Sequence, residues 1–182
     1  ALDTAFDGDG VVLLDLGGTD TAHALAIQSD GRIVAAGSSG GFAVVRLNTN
    51  GSLESTFNRS GIVLGNYGGS GIGARASAVA IDSSGRIVIA GSSGDAGVDG
   101  GGNFGVARLN ADGTFDTAFS GDGRFTRDFG GVDSAAALAL RADGRIVVAG
   151  TANGGSASGR RSAFAVAVIG PTGIDSLFGL GA

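Results

Sequence analysis

The sequence has no cysteine, methionine, tryptophan or lysine, and only one proline, one histidine, one tyrosine and one glutamate. Without Cys there is neither a disulfide framework nor a thiolate metal site. All 12 basic residues are Arg, no basic stripe stands out, and the net charge is −5, which argues against a nucleic-acid surface. No apolar run reaches the length of a membrane span. The opening residues carry no charged-then-apolar leader, so any signal peptide lies outside this sequence. Acid–base chemistry would fall to paired Asp residues, and nothing in the pattern marks a pair.

What is abundant is glycine, 37 of 182 residues, beside an apolar content of 43%. Without a G-X-Y period this is not collagen, and the apolar fraction argues against a disordered linker. Gly is needed at tight turns and depleted inside strands, so the expectation is many short strands joined by many turns. Internal self-similarity then sets the architecture. Leu2-Asp3-Thr4-Ala5-Phe6 returns as Leu53-Glu54-Ser55-Thr56-Phe57, as Phe115-Asp116-Thr117-Ala118-Phe119 and as Ile174-Asp175-Ser176-Leu177-Phe178. Gly31-Arg32-Ile33-Val34 returns as Gly85-Arg86-Ile87-Val88 and Gly144-Arg145-Ile146-Val147, and Phe42-Ala43-Val44 as Phe104-Gly105-Val106 and Phe164-Ala165-Val166. The chain therefore divides into repeats 2–52, 53–114 and 115–173, with a partial fourth at 174–182.

Each copy reads as four strands, in the first copy 11–16, 22–28, 32–38 and 42–48, with Asp-Gly, Gly-Gly and Asn-Gly supplying positive φ between them. Along the second strand Ala22, Ala24 and Ala26 alternate with His23, Leu25 and Ile27, and Ala fills the equivalent positions of the other copies. Period-2 geometry puts these Ala residues on one close-packing face. The third strand is apolar on both faces, which suits a sheet covered on both sides. The fold class is all-β: tandem four-stranded antiparallel repeats stacked as β-propeller-like blades, with a pseudo-threefold β-prism or trefoil as the alternative.

The motifs Leu-Asp-Thr-x-Phe, x-Gly-Asp-Gly, Phe-Gly-Gly, Asp-Gly-Arg-Ile-Val-Val-Ala-Gly and Phe-x-Val-x-Arg-Leu-Asn-x-Asp-Gly resemble the bacterial delta-60 repeat, from Leu2 to Phe178. The resemblance implies a β-propeller-type fold and an extracellular or cell-surface location within large proteins, and carries no established activity. The copies depart from the pattern in places: Ser84 stands where Asp30 and Asp143 stand, Val168 where Arg46 and Arg108 stand, and Ser60 where Asp9 and Asp122 stand.

Length varies at one edge. The connection 38–41 of the first copy becomes 92–103 and 151–163 in the others, and 70–75 is also lengthened; in an up-and-down meander these emerge together. Such an edge is either a binding face or simply drift. Its candidate contacts for a surface glycan or protein are Asp95, Asp99, Asn103, Arg160 and Arg161. Asp7-x-Asp9-Gly10 has the form of the start of a calcium loop, which makes Asp7 and Asp9 the candidate cation ligands, with a plain hairpin turn as the competing reading. Apart from calcium, no cofactor is expected. His23 reads as a packed or partly exposed ring, and Arg32, Arg86 and Arg145 as partners of neighbouring Asp residues.

Three functions compete. The first is a non-enzymatic extracellular structural module that self-associates into a homo-oligomer or filament. The second is a glycan- or protein-binding propeller, weakened by the absence of Trp. The third is an enzyme at the channel mouth. Three blades fall below the usual 4–8 or so, so Ile174, Leu177 and Phe178 are expected to meet Leu2 and Phe6, in another copy or by closure within the chain. Phe6, Phe57, Phe119 and Phe178 are expected to be equivalent buried anchors.

Overall fold

A computed structural model describes residues 1–68, 73–94, 102–153 and 162–176, the last three as backbone. Among the described residues twelve strands form three four-stranded antiparallel sheets in sequence order. The first holds β1 (Asp20–Ile27), β2 (Ile33–Ser39), β3 (Gly41–Leu47) and β4 (Ile62–Gly65). The second holds β5 (Arg75–Ile81), β6 (Ile87–Ser92), β7 (Phe104–Leu109) and β8 (Arg124–Arg127). The third holds β9 (Ser134–Leu140), β10 (Ile146–Asn153), β11 (Ser162–Gly170) and β12 (Gly173–Ser176).

The sheets are out of phase with the sequence repeat. The outer strand of the first sheet, β4, comes from the second copy, and that of the second sheet, β8, from the third. The expected first strand of the first copy, 11–16, is correspondingly in no sheet. A strand needs a neighbour for its N–H and C=O groups, and β4 and β8 find theirs on the preceding copy. Their registers match: Phe42 faces Gly65 and Val45 faces Ile62, as Phe104 faces Arg127 and Ala107 faces Arg124.

Consecutive sheets pack face to face, β5 against β1 and β2, and β9 against β5 and β6. The first seam buries Val34, Phe42 and Val44 against Ile87, Ile89 and Leu109. The second buries Val88, Phe104 and Val106 against Ile146, Val148 and Ile169. The middle sheet thus gives alternate residues of β6 to opposite seams, which is why Ile87, Val88, Ile89 and Ala90 are all apolar.

The all-Ala face needs correction. The β1, β5 and β9 ladders each carry a bulge after the first Ala of the triplet or at its counterpart. The extra residue reverses the alternation. Ala76 therefore shares a core cluster with Val79 and Ile81, and Ala135 with Leu138 and Leu140. The bulge demands glycine opposite it: a Cβ on Gly37, Gly91 or Gly150 would lie 1.8, 1.9 or 2.1 Å from the carbonyl oxygen of Thr21, Arg75 or Ser134.

Candidate functional site

The described residues contain few large exposed apolar side chains, and most lie in the first and third sheets or beside them. In the third sheet Phe164 is 80% exposed, although its equivalents Phe42 and Phe104 are 0% and 1% exposed. Val166 is exposed where Val44 and Val106 are buried. In the first sheet Leu25 and Ile27 are exposed, whereas Val79 and Ile81 pack against the first seam. The difference is the neighbour: among the described residues no further sheet lies across the outer face of β11, and none lies before β1.

Residues 11–16 belong to the same surface. Val12, Leu14 and Leu16 are half-buried while Val11, Leu13 and Asp15 are exposed, the period-2 signature of an extended segment lying on a sheet. Val12, Leu13, Leu14 and Leu16 line an apolar groove of about 300 Å³ with Ala35, Ala43, Val45 and Leu47. Asp20 fixes the end of the segment by accepting the Leu16 N–H at 2.7 Å, as Asp133 accepts that of Phe129 at 2.6 Å. Burial raises the Asp133 carboxyl above its ordinary value despite the two backbone N–H groups it accepts.

Of the residues expected to associate, Leu2 is exposed and Phe6 only half-buried. Phe57 and Phe119 are fully buried. Equal burial of these anchors is therefore corrected for Phe6. Phe57 lies 4.4 Å beneath the Arg46 guanidinium and Phe119 4.8 Å beneath that of Arg108, each Arg coming from the preceding copy; no copy precedes Phe6 in this sequence. Ile174 pairs through its backbone with Ile169, in the place of the Leu47–Leu53 and Leu109–Phe115 bridges. Leu177 and Phe178 lie outside the described residues.

The candidate calcium turn uses its carboxylate locally. Asp9 accepts the Val11 N–H at 2.8 Å, as Asp122 accepts that of Arg124 and the Ser60 hydroxyl that of Ile62. Asp7 sits at φ 51° and donates its N–H to the Asn50 carbonyl. Among the described residues no three His, Asp or Glu side chains gather as a metal site would require.

A family model described as "Domain of unknown function (DUF5122) beta-propeller" matches residues 28–57, 83–119 and 141–165, together just over half of the chain. The chain belongs to this β-propeller family. The three matches fall in the same phase of the three copies, and the sheets are blades rather than prism or trefoil units. No curated protein matches the chain. Among solved structures, the exo-1,5-alpha-L-arabinanase from a bovine ruminal metagenomic library is similar at 10% identity and a TM-score of 0.40, covering 80% of this chain and 51% of that one. The chain spans about half the length of that structure.

Two buried ion pairs of the propeller repeat were not singled out from sequence. Arg46 donates through Nε to Glu54 at 3.1 Å and through Nη1 to the Ala111 carbonyl. Arg108 donates through Nε to Asp116 at 2.7 Å. Glu54 also accepts the Thr56 hydroxyl, the largest influence lowering its pKa from an ordinary 4.5 to about 2; Arg46 and the Thr56 N–H add to this against the effect of burial. The signal was present in the spacing: an acid eight residues after the Arg in two copies, and Val168 in the third. Arg32, Arg86 and Arg145 pair with Asp30, Asp82 and Asp143.

The two edges of the blades are as expected. Connections of the variable edge touch where Gly73 donates to the Gly40 carbonyl and Asp133 to that of Gly102. The inter-copy links meet at the other edge, where Asn58 donates to Asp112. Asn103 closes the neck of its loop by donating its N–H to the Ser93 hydroxyl and accepting the Ser93 N–H on its carbonyl, each at 2.9 Å. Asp95, Asp99, Arg160 and Arg161 lie outside the described residues. His23 is exposed.

Proposed function

We propose that this chain is a non-enzymatic, extracellular assembly module whose propeller blades associate with further copies through the two terminal blades. The observation that carries the reading is the exposure of Phe164 at a position buried in both preceding blades. A Phe left in water forgoes about 2 kcal/mol of burial, and a contiguous apolar surface rimmed by polar residues marks an interaction site. Partial or complete engagement of Asp9, Glu54, Asp116, Asp122 and Asp143 in turns and ion pairs supports a structural role over a catalytic one. The extracellular placement rests on the resemblance to delta-60 repeats of large surface proteins. Light scattering across a concentration series tests assembly: a mass of two or more copies is expected, and a single-copy mass at every concentration rejects it.

The variable edge supports a second reading, a glycan- or protein-binding propeller. Shortening 92–103 to the length of 38–41 should leave folding intact and reduce capture of such a partner. Undiminished capture removes the loops from this role.

A further inference from the structure

We infer that residues 11–16 of one copy become the outer strand of the third blade of a second copy, pairing with residues 164–167 of β11. The inference rests on the assembly reading above and specifies its contact.

The chain contains its own template, twice. β4 pairs with β3 and β8 with β7 in one register. A glycine in the left-handed region fixes the phase of each donor, Gly61 and Gly123 both at φ 83°, and Gly10 at φ 88° does the same before residue 11. Transferring the register places Val11 opposite Ala167, Val12 opposite Val166, Leu13 opposite Ala165 and Leu14 opposite Phe164.

Among the described residues the acceptor edge is unpaired where the template needs it. β12 pairs only with Val168, Ile169 and Gly170. Residues 164–167 have β10 on one side and, among the described residues, no strand on the other. An unpaired edge beside exposed Phe164 and Val166 is a site for strand addition.

The donor is already shaped. Residues 11–16 lie extended on the face of their own first blade, as Val63 and Tyr67 lie against the second: a Cβ on Gly105 would meet the Tyr67 ring at 2.4 Å. From that position Tyr67 reaches the preceding blade and packs on Phe42 with ring centroids 4.9 Å apart. Phe129 packs on Phe104 at 5.1 Å. Leu16 holds the equivalent place, and Phe164 is the surface it fits. Strand exchange would then repeat between copies the seam that joins blades within one. Two copies supply six blades, inside the usual range of about 4–8.

Because the chain has no Cys, the register can be read directly. Leu13→Cys and Ala165→Cys chains, carrying different mass tags, are mixed and mildly oxidised. The mixed disulfide is expected; Leu13→Cys with Val166→Cys, on the opposite face, should remain unlinked. Val12→Pro and Leu13→Pro are tested separately, because one of two adjacent N–H groups must point at the partner edge. One of them should reduce the mass to a single copy with unchanged circular dichroism, since 11–16 pairs with no strand among the described residues of its own chain. Assembly that survives both prolines without the disulfide overturns strand exchange and leaves assembly standing. A single-copy mass for the unmodified chain overturns both. A disulfide within one chain carrying both Cys residues, at single-copy mass, shows closure in cis and overturns the second copy as occupant.

Discussion

Phe42 and Phe164 occupy the same position of the same motif, yet one is sealed in a seam and the other faces water. The same contrast separates Phe57, under Arg46, from half-buried Phe6. Seam and terminus share the motif that places each Phe and differ in the neighbour across it. A propeller repeat therefore carries its strand pairing and turns within itself and its successor, but borrows burial from the next blade. In such quasi-one-dimensional proteins stability is a sum of repeat and interface contributions, so equivalent substitutions should cost different amounts at the two places.

The largest expected effect is at the seam. Phe57→Ala should destabilise by about 3–5 kcal/mol, as for a large buried aromatic, and Phe6→Ala by clearly less in the same denaturant titration. Equal losses would mean that Phe6 is buried in solution and that the terminus already has its neighbour.

A feature internal to a sheet should ignore the contrast. Gly91→Ala should cost about 1–3 kcal/mol, because the new Cβ collides with the Arg75 carbonyl rather than with a mobile side chain. Gly37→Ala, at the bulge of a terminal sheet, should cost the same. Thermal melts that separate the two would show the bulge to be supported across the seam.

The buried Glu54–Arg46 pair sharpens the comparison through pH. The folded-state pKa of Glu54 is depressed from 4.5 to about 2, so its contribution is present above pH 4.5 and lost as pH falls through about 2. Glu54→Gln should cost about 2 kcal/mol near neutrality, the scale of a hydrogen bond to a charged group. The difference from the parent chain should shrink across that window. Asp133, raised by burial, acts in the opposite sense, stabilising in acid and losing that contribution as pH rises through its folded value. A Glu54→Gln difference that stays constant from pH 5 to pH 2 would contradict the assignment.

The smallest effect is expected at the terminus. Phe164→Ser should change the stability of a single copy by no more than about 0.5 kcal/mol, as at an exposed position, while Phe104→Ser costs several times more. A large loss at Phe164 in dilute solution would show that its face is covered within the chain.

Much of the fold was legible in order: the repeat, the strands at 22–28, 32–38 and 42–48, the glycine turns and the two unlike edges. These follow from period-2 patterning and from glycine at positive φ, which act over a few residues. The Arg46–Glu54 and Arg108–Asp116 pairs were legible in spacing but not in role, because only burial turns a surface charge pair into a seam element. The bulge was not legible: a triplet of Ala looks the same whether or not one residue is skipped, and the clash at Gly37, Gly91 and Gly150 exists only across the ladder.

What the amino-acid order determined by itself is the unit: how many strands, where they turn, and which residues recur. Tertiary structure alone decided which copy completes which sheet, since the outer strand pairs with the preceding copy and the period cannot reveal that phase. It also decided which of several identical motifs is core and which is surface. Hydrogen bonds along a hairpin are closed by neighbours in sequence, whereas apolar burial is closed only by whatever sheet stands opposite.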